Sequence, residues 1–149
     1  MWKAILKATA LAGTLDIAAA FIQAYLGSHT MPGTVLKYIA SGLFGSSAMA
    51  GGAGMMIVGL LIHFLIAFAC TGIFFVLYPS LRFLKRSHIV NALLIALTAW
   101  VVTRLVIVPL SHVQSGALTL SKAAMAIGIL FLCVGLPVSM AAGRYFGKA

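Results

Sequence analysis

The sequence predicts an all-α integral membrane protein, a four-helix bundle that forms a single transmembrane domain over residues 1–149. Hydrophobic residues make up 63% of the chain and charged residues only 7%, whereas soluble domains carry roughly a quarter charged residues. Four apolar runs each reach the length of about 20 residues that a helix needs to cross a bilayer. Most of the ten Lys and Arg residues fall between these runs. A chain this apolar would expose a surface that cannot face water, so the composition excludes a soluble domain.

The four predicted spans cover approximately residues 4–26, 55–78, 88–110 and 118–143. Gly27 follows the first span, Pro79 the second, and Pro109 closes the third, all of which are typical helix stops. Gly143 precedes the basic tail after the fourth. Pro137 lies within the fourth span, where its missing N–H predicts a kink.

The distribution of positive charge predicts the orientation of these spans. Only Lys37 and Lys122 fall in the loops on one side of the bilayer. The opposite side holds a larger basic set: Lys3, Lys7, Arg82, Lys85, Arg86, Arg144 and Lys148. Because cytoplasmic loops are enriched in Lys and Arg, we expect both termini in the cytoplasm.

The first residues, MWKAILKATALAG, also have the basic and apolar regions of a signal peptide, with IQA as a cleavage site. Asp16 interrupts that apolar region. Removal of the first span would leave three helices with termini on opposite sides, which fits the charges less well. We therefore expect the first span to be retained.

The segment between the first two spans is rich in small residues. Residues 39–54 read IASGLFGSSAMAGGAG. An apolar set recurs at helical spacing in and just before this segment: Val35, Leu36, Ile39, Leu43 and Phe44. Two interpretations are open, an amphipathic helix at the outer surface with a Gly-rich link, or a re-entrant half-helix that dips between the spans.

Three ionisable residues lie inside the predicted spans: Asp16, His63 and Arg104. A rise of about 1.5 Å per residue puts them at similar depths in the outer half of the bilayer. Asp16 is the only acid in the chain, and it shares a helix face with an alanine stripe that favours close helix contact. A charge at the membrane centre costs about 3 to well over 10 kcal/mol, so Asp16 must be protonated, paired or hydrated.

We therefore expect a buried polar cluster of Asp16, His63 and Arg104, with Asp16 and Arg104 energetically coupled. Such a cluster is either a fixed structural pair or part of a proton or substrate pathway. A third interpretation is that one of the groups reaches water by itself.

Small residues recur every four positions in the fourth span. Ala124 and Gly128 begin this pattern, and Gly135, Ser139 and Gly143 continue it. This spacing lets two backbones approach closely. It predicts helix packing within the bundle, with a homo-oligomer as the alternative.

No cofactor or metal is expected. The other histidines, His29, His88 and His112, fall at span ends, which makes a haem on His63 the weaker interpretation, and Cys70 and Cys133 are isolated. The sequence does not combine a nucleophile with a base and a group that orients the base. We therefore expect a protein that is not an enzyme. The basic residues form no stripe, which argues against nucleic acid and leaves the lipid bilayer as the partner.

Several segments resemble a group of small bacterial inner-membrane proteins, the YagU-like family. They are AGTLDIAAAF, VLKYIASGLFG, GGAG with GLLIHFLIAF, and TRLVIVPLS. The resemblance spans nearly the whole chain and implies four helices and an inner-membrane location. It supplies no substrate or reaction.

Two functions follow from these observations. The first is a non-enzymatic structural or accessory role in the inner membrane. The alternative is a proton-linked small-solute transporter or permeability element that uses Asp16, His63 and Arg104. Four spans are few for an alternating-access carrier, and the sequence shows no internal repeat.

Overall fold

The computed structural model describes residues 1–80, 87–108 and 119–147, and within these ranges the chain is helical with no strand. Arg82, Lys85, Arg86, Pro109, His112 and Lys148 lie outside them. The described α-helices are α1 (Trp2–Ser28), α2 (Pro32–Phe44), α3 (Ser46–Ala50), α4 (Ala53–Leu77), α5 (His88–Val101), α6 (Leu120–Leu130) and α7 (Leu136–Phe146). A π-helical segment, Val102–Ile107, extends α5, and a second, Phe131–Gly135, joins α6 to α7.

Four of the described helical stretches are long and apolar enough to cross a membrane. They are Trp2–Ser28, Ala53–Leu77, His88–Leu105 and Leu120–Phe146. The prediction of four helices long and apolar enough to span a membrane is confirmed, and the predicted end of the third, residue 110, lies outside the described residues.

The outer surface of these helices is apolar. Large side chains such as Leu26, Leu65 and Leu132 are 75%, 67% and 62% exposed, respectively. Most residues in the apolar part of each spanning helix remain outside the protein interior. Because a water-soluble protein rarely exposes such extended apolar surface, lipid is the medium that fits this chain.

The spanning helices alternate in direction. α1 and α4 are antiparallel, since the Trp2 ring packs edge-on against Phe68, 5.2 Å between centroids, while Gly13 lies beside Phe64. α1 also runs antiparallel to the fourth span: Gln23 near one end contacts Met125, and the start of α1 packs near the end of α7. The beginning of α1 and the end of α7 therefore lie at the same end of the molecule.

The best-packed core lies at that shared end. It contains the buried residues Ile5, Ala8, Ala12, Phe75, Tyr78, Ile95, Val138 and Ala142. Tyr78 stacks on Phe146 with 5.3 Å between ring centroids, which ties the end of α4 to the end of α7. In lipid the helices gain little from the hydrophobic effect, so this close packing supplies much of their association.

Proline accounts for the π-helical segment of the fourth span. In a regular α-helix the N–H of residue 137 would donate to the Cys133 carbonyl, but Pro137 has no N–H. The chain between Phe131 and Gly135 adopts the wider π-helical geometry, and the helix then continues through Pro137. The other π-helical segment, Val102–Ile107, ends two residues before Pro109 in sequence. At the place where the sequence predicts a kink, the structure has a π-helical turn.

The residues of α2 that are buried are small ones. Leu43 and Phe44 are 66% and 48% exposed, whereas Ala40 and Ser41 are buried. The Ser41 hydroxyl donates a hydrogen bond to the Tyr38 carbonyl oxygen at 2.6 Å, so this buried hydroxyl group has a partner within its own helix. Small residues let α2 approach α4 closely, so the large apolar side chains point outward.

Candidate functional site

Asp16 and His63 meet where α1 packs on α4. The His63 Nε2 atom lies 2.9 Å from the Gly13 carbonyl oxygen and 4.0 Å from an oxygen of the Asp16 carboxylate. The side chains of His63 and Asp16 are 12% and 27% exposed, respectively. Gly13 and Asp16 share one face of α1 because they are three residues apart.

The chemistry of this group follows from its acceptor atoms. A carbonyl oxygen only accepts hydrogen bonds, so the His63 Nε2 must carry a hydrogen and donate it to Gly13. The Asp16 carboxylate, at 4.0 Å, is too far for a hydrogen bond to that nitrogen but close enough for electrostatic attraction. The group thus joins two spanning helices through one directional bond, with the Asp16 carboxyl group close by.

Gly13 is required by the packing around this bond. A Cβ atom at position 13 would come within 2.7 Å of the Phe64 ring. The His63 and Phe64 rings are themselves in edge contact, 5.4 Å between centroids. The absence of a side chain at Gly13 therefore lets α4 present both rings to α1.

Cys133 is a third polar neighbour. It lies in the π-helical segment Phe131–Gly135, close enough to Asp16 for the carboxylate charge to act on its thiol. α1 packs along this segment of the fourth span. α1, which carries Asp16, therefore packs on the fourth span as well as on α4.

Arg104 does not join this group, and the predicted convergence of three ionisable residues is wrong for the described part of the chain. There the structure shows no buried cluster of Asp16, His63 and Arg104. The charge of Arg104 acts instead on the phenol of Tyr38 in α2. Arg104 lies in the segment that continues α5, and α5 itself packs on the fourth span rather than on α1 or α4.

The charge of Arg104 affects the pKa of Tyr38. Burial raises the pKa of the Tyr38 phenol above its usual value, and the nearby Arg104 charge partly opposes that rise. Arg104 is thereby associated with the segment between the first two spans, not with the acid in α1.

The small residues of the fourth span divide into two sets. Gly135 and Gly143 face α5, where an added Cβ atom would overlap the Ala92 carbonyl or the His88 ring. Between them, the buried Ser139 hydroxyl donates to the His88 carbonyl at 3.1 Å. Ala124 and Gly128, in contrast, are exposed.

A second close crossing joins α2 to α4. An added Cβ atom at Gly59 would overlap the Leu36 carbonyl, so the two helix backbones touch there. Gly59 and His63 lie on one face of α4, one turn apart. The position of α2 is thereby linked to the same helix that carries His63.

Comparisons of the chain with protein-family models, curated proteins and solved structures give no match. Within the described ranges, no three His, Cys, Asp or Glu side chains gather in a way that would hold a metal ion. The inference of function therefore rests on the geometry of the helices themselves.

Two residues near Asp16, Gly13 and Cys133, were not predicted from the sequence as parts of the site. Gly13 acts through its backbone carbonyl, which every residue carries, so only its position one turn before Asp16 hints at its part. Cys133 is isolated in an apolar run, a pattern that does not indicate a polar neighbour. Its nearness to Asp16 depends on the local widening ahead of Pro137, which helical periodicity does not include.

Proposed function

We propose that this chain is a multi-pass protein of the bacterial inner membrane with a non-enzymatic structural or accessory role. In this proposal both termini face the cytoplasm and the lipid bilayer is the principal partner. Asp16, His63 and Gly13 fix the register of α1 against α4, and the Asp16 charge reinforces that contact.

The observation that carries the proposal is the bond from His63 to the Gly13 carbonyl. A backbone carbonyl cannot release or take up a proton in the physiological range, so this bond supports a fixed contact more than a relay. The tight crossings at Gly59 and Gly135 support the same role, since backbones in contact leave little room for helices to slide.

Proton-linked solute transport is the second candidate. It is supported by the Asp16 side chain, which retains 27% exposure and lies near an imidazole. A carboxyl group beside a histidine within a spanning segment has the chemistry that a proton pathway requires.

A flux assay separates the two candidates. The protein is reconstituted in liposomes that contain a pH-sensitive dye, and wild type is compared with Asp16→Asn under an imposed proton gradient. The structural role predicts no protein-dependent flux in either sample. Flux in wild type that disappears in Asp16→Asn, while the helical circular dichroism is unchanged, would establish transport instead.

The orientation is tested separately. A reporter enzyme active only in the periplasm is fused to the C-terminus, and one active only in the cytoplasm is fused in a parallel strain. The positive-inside distribution of Lys and Arg supports a cytoplasmic C-terminus. Activity of the periplasmic reporter alone would refute this part of the proposal.

We also propose that α2 is partly immersed at the outer side of the bilayer. α4 has 25 residues, so Gly59 lies about 6 Å inside the hydrocarbon edge if the helix is centred in a core of about 30 Å. The contact of Leu36 with Gly59 and the exposed Leu43 and Phe44 support this depth. Cysteine variants at Leu43 should then react slowly with a water-soluble maleimide, compared with a cysteine at Ser28.

A further inference from the structure

We propose that the end of the molecule where α1 begins and α7 ends binds one anionic phospholipid. Its headgroup lies against Lys3 and Lys7, and one acyl chain lies in the apolar groove between α1 and α4. This inference requires only that this end meets a headgroup layer, so it holds whichever side of the membrane that layer is on.

The headgroup part rests on a cavity of about 580 Å³ near the start of α1. Lys3 and Lys7 line it one helical turn apart, and Trp2 and Tyr145 contribute aromatic walls. Arg144, next to Tyr145 in α7, is exposed at the same end. A basic pocket between spanning helices, flanked by amphipathic rings, is the kind of site that binds lipid headgroups.

The charges in this cavity have no acidic side chain to neutralise them. The only acidic residue in the sequence is Asp16, and along α1 it lies about 20 Å from Lys3 and about 14 Å from Lys7. The chain therefore cannot form an ion pair here with one of its own carboxylate side chains. An anion from outside the protein, such as a lipid phosphate, complements this charge.

The depth of the two lysines matches a headgroup. α1 has 27 residues and is about 40 Å long, which exceeds a hydrocarbon core of about 30 Å. With the helix centred, the core begins near residue 5. Lys3 then lies among the headgroups, and the side chain of Lys7 extends from the edge of the core toward them.

The acyl-chain part rests on a second cavity of about 430 Å³, which shares Met1 and Trp2 with the first. It runs between the start of α1 and the last turns of α4, and Phe68, Gly72 and Val76 line it. A Cβ atom at Gly72 would meet nothing within 4 Å, so open space lies over this position. A basic cavity that continues into an apolar groove fits a phospholipid better than it fits free phosphate.

The test is native mass spectrometry of the detergent-solubilised protein with added phosphatidylglycerol, and with phosphatidylethanolamine of the same chain length. We expect one phosphatidylglycerol to bind in preference to phosphatidylethanolamine. Lys3→Gln/Lys7→Gln should weaken this binding roughly tenfold or more. The matched control, Lys37→Gln/Lys122→Gln, removes the same charge from α2 and from the first turn of α6, away from this cavity, and should keep the binding.

A second variant tests the groove while leaving the charges intact. Gly72→Leu should fill the open space and weaken phosphatidylglycerol binding, whereas Gly54→Leu, at the other end of α4 and also in open space, should leave it unchanged. Unaltered far-ultraviolet circular dichroism verifies folding in every variant.

Three outcomes would overturn the inference. They are equal binding of the two lipids, equal weakening by both lysine pairs, and unchanged binding in Gly72→Leu. Displacement of the lipid by millimolar glycerol phosphate would also overturn it, because the site would then be one for soluble phosphate.

Discussion

His63 in α4 donates its Nε2 hydrogen to the Gly13 carbonyl of α1 at 2.9 Å. This bond joins two helices through residues that are 50 positions apart in sequence. The Phe64 ring occupies the space beside Gly13 that a side chain would otherwise fill. One glycine thus provides both the acceptor and the room for the donor helix.

Replacement of His63 should loosen the α1–α4 contact. His63→Phe keeps a ring of similar size but removes the donor, and interhelical hydrogen bonds in membranes contribute about 1 kcal/mol. We expect a loss of that order in the free energy of unfolding, measured by titration with sodium dodecyl sulfate in mixed micelles. The control is Thr14→Val, an exposed position on α1, which should have little effect. Equal stability of wild type and His63→Phe would contradict the structural role of this bond.

Asp16 should be coupled to His63 and not to Arg104. In a double-mutant cycle, Asp16→Asn and His63→Phe should interact by about 0.5 kcal/mol or more, because the groups lie 4.0 Å apart. Asp16→Asn and Arg104→Gln should instead add within about 0.5 kcal/mol. A strong interaction in the second cycle and none in the first would restore the arrangement expected from the sequence.

The crossing of α2 and α4 should not tolerate a side chain at Gly59. Gly59→Ala places a methyl group against the Leu36 backbone carbonyl, which cannot move without displacing α2. We expect destabilisation of about 1–3 kcal/mol, the usual range for overpacking. Gly72→Ala in the same helix meets no atom and should be neutral, or stabilising by up to about 1 kcal/mol. The same micelle titration checks both variants, and similar results for the two would argue against the close crossing.

The contact of α5 with the fourth span gives an analogous pair of variants. Gly135→Ala would press on the Ala92 carbonyl, whereas Gly128→Ala points into open space. The first variant should therefore lower the thermal denaturation temperature in detergent and the second should not. If Gly128→Leu, but not Gly135→Ala, changed the mass measured by light scattering, the exposed small residues would form the homo-oligomer contact that the sequence left open.

The Tyr38 phenol should make the stability of the folded protein depend on pH in the alkaline range. Burial raises its pKa above the ordinary value of 10.0, so the neutral phenol favours the folded state. The stabilisation is present below pH 10 and disappears as the pH rises through the folded-state pKa. Tyr38→Phe should therefore lose less stability than wild type above pH 10.

Arg104 provides the matched test of this electrostatic relationship. Its charge lowers the Tyr38 pKa, so Arg104→Gln should shift the phenolate absorbance transition to higher pH. Subtraction of the Tyr38→Phe titration isolates this phenol from the other three tyrosines. A shift to lower pH in Arg104→Gln would show that the two residues are not neighbours.

The spanning helices could be predicted because their signal is local. A run of about 20 apolar residues contains enough information to specify a membrane-crossing helix by itself. The predicted 55–78 and the observed Ala53–Leu77 differ by two residues or fewer at each end. The approach of Asp16 to His63 followed from their similar depth, since helical rise converts sequence position into depth.

The sequence alone thus determined four apolar helices and the depth of each polar group along them. The tertiary structure decided which groups meet, because residues at equal depth can still lie on opposite sides of the molecule. Arg104 lies beyond the end of α5, and its charge acts on Tyr38 in α2 although Asp16 was expected at a similar depth. Likewise, α2 buries Ala40 and Ser41 rather than Leu43, because backbone contact in lipid favours small side chains over apolar ones.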